Sequence, residues 1–405
     1  MGNRMIFGGV ALVAVLVVAG LALKPRLDRL RYASSLFSGA EQYENFSKMD
    51  KIMPATVMAA SQTPRAFPVG AETVLPETFV HGAKTYTTAD FLDLTDTAAL
   101  LILKDGQIRF EEYFLTGGPD VTWLSMSVAK SFISALIGIA IEEGAITSVN
   151  DPATKYAPFL EGSAYDGVRL KDILQMSSGA AWNEDYNDPE SDINRLGRII
   201  ALGGSLDKFI ATIEPDLQPG TYNRYNSSDT QVLGSVLVAA TGRPIADYMY
   251  EKLWSPMGAE HQAEWLLDSK RMEMAFFGLN ATARDYAKLG ELYRNAGRMG
   301  ERQIIPSDWV KASISPDAPH LIPGKRDNAD EDFGYGYQWW VLEGDQGEFS
   351  AIGVYNQYIY VNPTAGVVIV KLSAYSDYAT SDDPSAYLSP ETFSLFGKIS
   401  NSLTE

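Results

Sequence analysis

The chain has no cysteine and only three histidines, His81, His261 and His320, in 405 residues. Without cysteine there is no disulfide framework, no thiolate nucleophile, no Cys-ligated zinc and no iron–sulfur cluster. The histidines stand far apart and none has an HExxH or similar ligand spacing, so a His-based metal site or a Ser-His-Asp triad would have to be assembled from isolated residues. Positive charge is scarce as well: 33 Lys and Arg face 51 Asp and Glu, a formal net charge of -18. That balance opposes a nucleic-acid partner, whose phosphates need Lys and Arg clusters. If the protein is an enzyme, its proton transfer is expected to run without histidine.

What is present is an ordinary globular composition, 46% hydrophobic and 21% charged, in a chain long enough for two or three units with large cores. Residues 5–23 carry no charge and would be about 28 Å long as a helix, enough to cross a hydrocarbon core. The stretch exceeds the usual apolar region of a signal peptide, and Gly20-Leu21-Ala22 is a weak cleavage site. An uncleaved anchor is therefore expected over a cleaved signal. Lys24, Arg26, Arg29 and Arg31 follow it while only Arg4 precedes it, which favours a cytoplasmic body by the positive-inside rule. The expected division is 1–31 anchor or signal, 32–75 a linker docking on the body, and 76–405 the folded body.

Within the body, two strands are expected at 98–104 and 107–114, joined by Asp105-Gly106, a strong hairpin signal. An apolar stretch over 128–141 stops at Glu142-Glu143-Gly144 and reads as a central buried helix. The middle, about 150–300, mixes helices (170–176, 230–241, 283–295) with loops. Strands return at 335–342, 349–353 and 358–361, and the last turns through Asn362-Pro363 towards 366–370. No internal repeat is found. Strands at both ends of a helical middle predict an α/β (α+β) fold, an antiparallel sheet closed by both ends of the body with an inserted helical lobe.

The chemistry concentrates in Ser127-Val128-Ala129-Lys130. Residues three apart share a helix face, so the amine can reach the hydroxyl. An apolar wall lowers a lysine's pKa and makes the neutral amine a usable base. A second copy of the spacing, Ser205-Leu206-Asp207-Lys208, lies in a polar stretch and reads as accidental. Tyr225-Asn226-Ser227 offers a tyrosine whose phenolate a nearby lysine cation would favour. Tyr-x-Asn occurs by chance at Tyr43 and Tyr360, so such a tyrosine motif alone is a weak signal. In Ala351-Ile352-Gly353-Val354 the glycine would let a ligand approach the backbone, with the Val354 N–H free to face an oxyanion.

Taken in order, these motifs resemble the serine β-lactamase and penicillin-binding superfamily, whose S-x-x-K and K-T-G signatures occupy matching places. Within it the chain is most similar to the class C-like esterase branch, that of the 6-aminohexanoate-dimer (nylon oligomer) hydrolases. Further segments carry the likeness: Leu174 to Gly179, Asn183 to Pro189, Tyr225 to Thr230, Ala351 to Gln357 and Val368 to Ser373, over about residues 80 to 400. The resemblance implies that Ser127 is the acylated nucleophile, Lys130 its base and Tyr225 the proton shuttle. It implies that Ser227 replaces the usual Asn, that Tyr186 contacts the scissile amide, and that the Ser127 and Val354 amides form the oxyanion hole beside Gly353.

Lys-Thr-Gly has become Ala351-Ile352-Gly353, which removes the cation that grips a β-lactam or peptide carboxylate. The family often has Gly where Asn356 stands. Glu184-Asp185-Tyr186-Asn187 mimics a Glu-x-x-Asn motif, but it precedes the tyrosine motif and reads as coincidence. The expected function is a serine hydrolase of small esters or amides that needs no metal and no cofactor. Trp123, Trp182, Trp339 and Trp340 are candidates for an apolar acyl pocket. The rivals are a D-Ala-D-Ala peptidase or β-lactamase, and a non-catalytic membrane-tethered binding or sensor protein. Such bodies are commonly exported, so the resemblance opposes the charge flanks and points to a periplasmic domain held to the inner membrane by the N-terminal helix. The alternatives are a secreted or periplasmic form after signal cleavage, and a cytoplasmic-facing body.

Overall fold

The computed structural model describes residues 41–378 and 387–404. The run Ala98-Ala99-Leu100-Leu101-Ile102-Leu103 lies in strand β1 (Thr97–Lys104), buried at every position but Lys104, as happens when both faces of a sheet are covered. Alternation divides the run: Leu101 and Leu103 join one core, and Leu100 and Ile102 join the other. Asp105 and Gly106, at φ 50° and 74°, turn the chain into β2 (Gln107–Tyr113), with the left-handed pair that a tight hairpin requires.

Five later strands complete a seven-stranded antiparallel sheet: β3 (Gly334–Tyr335), β4 (Trp340–Val341), β5 (Phe349–Gly353), β6 (Gln357–Asn362) and β7 (Val367–Ser373), in the order β3-β4-β5-β6-β7-β1-β2. The two ends of the body meet where β7 pairs with β1. The stretch expected as a single strand over 335–342 is instead the β3–β4 hairpin. Gln338 breaks it, at φ 61°, because its side chain is drawn out of the sheet to Leu174 C=O (2.9 Å) and Thr230 Oγ1 (2.6 Å).

Helix α1 (Ala129–Glu142) is buried along nearly its whole length, which explains its apolar character on all sides. A Cβ on Gly138 would lie 2.4 Å from the Trp309 ring, so the indole is seated on bare helix backbone. Beside α1 runs α2 (Ser227–Thr241), capped by the Asn226 side chain, which accepts from the Ser228 and Asp229 N–H groups. Helix α3 (Ala283–Arg294) covers one face of the sheet and α4 (Ser389–Ser402) the other, where Phe393, Phe396 and Ile399 meet Leu100, Ile102, Tyr358 and Tyr360.

Residues 41–58, read from sequence as part of a linker, contribute a helix (Glu41–Phe46) and a strand (Ala55–Met58). That strand forms the edge of a four-stranded sheet through Ala263–Leu266 and Leu279–Ala281 to Trp123–Leu124. Among the described residues no helix is long and apolar enough to cross a membrane. The expected membrane-crossing stretch, 5–23, lies outside the described residues.

Candidate active site

Ser127 sits in a 3-10 turn (Met126–Val128) just ahead of α1 rather than in its first turn. Met126 is at φ 47°, a conformation that costs a non-glycine residue about 1–3 kcal/mol and persists where the surroundings enforce it. Lys130 Nζ donates to Ser127 Oγ (2.7 Å), to Ser227 Oγ (3.1 Å) and to the Phe276 carbonyl (3.1 Å). The lysine is 1% exposed. Burial pulls its pKa down to about 7 although the Glu184 charge works the other way, so a large neutral fraction exists near pH 7.

Tyr225 lines the same cleft as Ser127. Its ring stacks on Trp340 (centroids 5.2 Å, 21°) and lies 4.9 Å from Lys130 Nζ. The phenolate expected from sequence is not favoured here. Burial, followed by the Glu184 charge, pushes the phenol far above its ordinary range. Lys130, whose own charge burial disfavours, does not reverse this. Tyr225 is therefore a proton donor at rest.

Beyond β5, the turn residues Tyr355 and Asn356 both have positive φ, 63° and 67°. Asn356 thus takes the conformation a glycine would. Tyr355 is held by ring contacts with Phe46 (5.4 Å) and Tyr378 (5.2 Å). A Cβ on Gly353 would lie 2.7 Å from the Ser125 carbonyl and 3.0 Å from Met126 Cβ. The glycine permits a close approach of two backbones. That approach sets Val354 and Ser127 on the wall of one cleft.

The cleft encloses about 1230 Å³ and is lined by Ser127, Tyr186, Tyr225 and Val354 among aromatic rings. Trp182 and Trp340 are part of that lining. Trp123 and Trp339, also expected there, are instead core residues, 1% and 0% exposed. The mouth is acidic: Asp185, Asp192, Asp216, Asp330, Glu331 and Asp332 line it, with Arg224 as its cation. Arg224 is already paired with Asp216 at 2.6 Å.

Ser227 lies below the cleft floor, between Lys130 and Glu184. Glu184 accepts from Ser227 Oγ (2.6 Å), Tyr186 OH (2.8 Å), Ser227 N–H (3.0 Å) and the Trp182 indole N–H. Sequence reasoning set this carboxylate aside as coincidence. The signal available was its place two residues before Tyr186, but its partner Ser227 is 43 positions away. The second Ser-x-x-Lys is a helix cap, with Ser205 Oγ accepting from the Lys208 N–H at 3.4 Å. None of the three histidines lines the cleft. His81 bonds Ser394 and His261 bonds Asp120, each at 2.9 Å.

Residues 92–389 match the Beta-lactamase family. The chain is 30% identical over 294 residues (71% of this chain, 74% of the relative) to the 6-aminohexanoate-dimer hydrolase of Paenarthrobacter ureafaciens. It is 25% identical over 196 residues (47% of this chain, 45% of the relative) to the teichoic acid D-alanine hydrolase of Staphylococcus aureus. A Bacillus anthracis protein solved under the 6-aminohexanoate-dimer hydrolase name superposes with a TM-score of 0.81, covering 91% of this chain and 96% of that one, at 22% identity. At that identity it speaks for the fold. With three-quarters of its length matched, the chain belongs to the beta-lactamase family and is a hydrolase of the serine hydrolase superfamily.

Proposed function

We propose that the protein hydrolyses small esters or amides through an acyl-enzyme on Ser127. The observation that carries this reading is the Ser127 hydroxyl held 2.7 Å from the amine of a fully buried Lys130. Neutral Lys130 takes the hydroxyl proton as Oγ bonds to the substrate carbonyl carbon, whose π pair moves to oxygen. The Ser127 and Val354 amides receive that oxyanion. On collapse the bond to the leaving group breaks. The leaving group takes the Tyr225 proton, and Tyr225 recovers one from Lys130. Water then attacks the ester, giving its proton back through Tyr225 and Lys130 while Ser127 Oγ leaves. The aromatic walls suit an apolar acyl chain. The acidic mouth and Ala351, in place of a lysine, favour neutral or ammonium-bearing substrates over carboxylates. The same two features oppose the peptidase and β-lactamase readings. The location of the body, periplasmic on an N-terminal anchor, is part of the proposal, and a fusion reporter after residue 31 tests it.

Ser127→Ala should abolish both p-nitrophenyl-ester turnover and fluorophosphonate labelling. In the wild-type assay an ammonium-bearing ester should outperform a carboxylate-bearing one. Labelling retained at the wild-type level in Ser127→Ala would sink the proposal.

A further inference from the structure

We propose that Glu184 is a positioning residue: by holding Ser227 as a hydrogen-bond acceptor, it aims the lone pair of Lys130 at Ser127. The inference rests on the acyl-enzyme reading above and assigns a task to a residue that reading does not use.

The argument is a count of protons and lone pairs. Ser227 Oγ carries one hydrogen, and at 2.6 Å it is committed to Glu184 Oε1. Towards Lys130 Nζ, 3.1 Å away, Ser227 can then only accept. The Phe276 carbonyl, also 3.1 Å from Nζ, can only accept as well. A neutral amine has two hydrogens and one lone pair. With both hydrogens placed on Ser227 and Phe276, the lone pair faces the remaining neighbour, Ser127 Oγ, at 2.7 Å. After the proton arrives, the ammonium donates to the same three oxygens without any side chain having to turn.

Glu184 is itself fixed for this task. A carboxylate has about four acceptor positions, and here four donors fill them: Ser227 Oγ and Tyr186 OH on one oxygen, Ser227 N–H and the Trp182 indole on the other. No position is left to activate a water, so a deacylating role for this carboxylate does not fit. The Ser227 N–H opens the fifteen-residue helix α2, whose N-terminus favours negative charge. One carboxylate thus locks the lysine's partner, the cleft tyrosine and a cleft tryptophan together. The titratable groups around Lys130 are Glu184 and Tyr225, with Tyr186 beyond Glu184 and Asp229 two residues along α2 from Ser227.

The substitution Glu184→Gln keeps the size and removes the charge. Its amide can donate to Ser227, whose hydroxyl would then turn its proton onto the Lys130 lone pair. The test is the rate of fluorophosphonate labelling of Ser127 against pH. In wild type the rate should rise through a midpoint near 7. In Glu184→Gln it should fall at least about tenfold at the plateau. The midpoint should also move to lower pH, because the charge that raises the lysine is gone. A plain packing defect would lower the rate without moving the midpoint, and that result overturns the proposal. So does a loss smaller than tenfold. If Glu184→Gln does not fold, as judged by circular dichroism, Ser227→Ala decides. It keeps the charge and removes the acceptor: a tenfold or greater loss supports the aiming role and a smaller one overturns it. A wild-type chain that is not labelled at Ser127 overturns the acyl-enzyme reading itself, an outcome distinct from a labelled wild type with an unaltered Glu184→Gln profile.

Discussion

Three lysines among the described residues are buried to 1% exposure or less; Lys288 is ion-paired with Glu260 at 2.8 Å, and the other two sit in two different settings. Lys130 at the head of α1 is 1% exposed, and Lys371 in β7 is 0% exposed. Burial pulls each pKa down to about 7, against a neighbouring carboxylate, Glu184 in one case and Asp96 in the other. Each has a serine hydroxyl within reach, Ser127 at 2.7 Å and Ser373 at 2.5 Å. By titration the two are alike. They differ in what surrounds the amine. Lys130 has three acceptors, one of them on a cleft wall beside Val354. Lys371 sits in register with Leu100 and Tyr358, inside the second core, and its serine is fully buried. A depressed pKa makes a lysine available as a base. An accessible hydroxyl and a place for an oxyanion make it useful.

The largest effect that would break this comparison is on turnover. Lys130→Met should lower kcat/KM for a p-nitrophenyl ester by about a thousandfold, within the range that general-base catalysis supplies. Lys371→Met should leave it within about threefold, a margin set by packing. Equal losses in the two variants would erase the distinction. Next in size is the pH profile. The base must be neutral to accept a proton, so kcat/KM should rise with pH through a midpoint near 7. Lys371→Met should leave that midpoint in place, although Lys371 titrates in the same range.

The smallest effect is on stability. A lysine whose folded pKa lies below its unfolded value holds fewer protons folded than unfolded, between about 7 and 10.4. Stability should therefore rise with pH across that window, with Lys130 and Lys371 both contributing. Lys371→Met should flatten the rise and stabilise the protein near pH 7 by roughly 1–4 kcal/mol. Urea unfolding at about pH 7 and pH 10 reads this directly. A variant as pH-dependent as wild type would show that Lys371 is not the neutral buried amine described.

Much of the site was readable before the fold because its central pair is local. Ser127 and Lys130 are three residues apart, at the head of an apolar stretch that reads as a buried helix. The β1–β2 hairpin was legible for the same reason, since Asp105-Gly106 states its turn chemistry in two letters. What was not legible depends on pairings distant in sequence. Glu184 matters through Ser227, 43 residues on. The strand Ala55–Met58 has its partner at Ala263–Leu266, and no local pattern announces that. Gly353 was noticed, yet its reason is the Ser125 carbonyl more than two hundred residues earlier. The Tyr225 shift runs opposite to the expected direction because the phenol's own burial and the Glu184 charge outweigh a nearby lysine. Charge states in a site depend on one another, and sequence lists them one at a time.

The central claim is that Ser127 is the residue that becomes acylated. Its most direct test is to trap the intermediate with a slowly turned-over p-nitrophenyl ester at a pH above 7, digest the protein and locate the added acyl mass by peptide mapping. The account predicts one acyl group per chain, on the peptide containing Ser127, and none in Lys130→Met over the same interval. Acyl mass on a peptide that lacks Ser127, or turnover with no covalent species at any time, would contradict it.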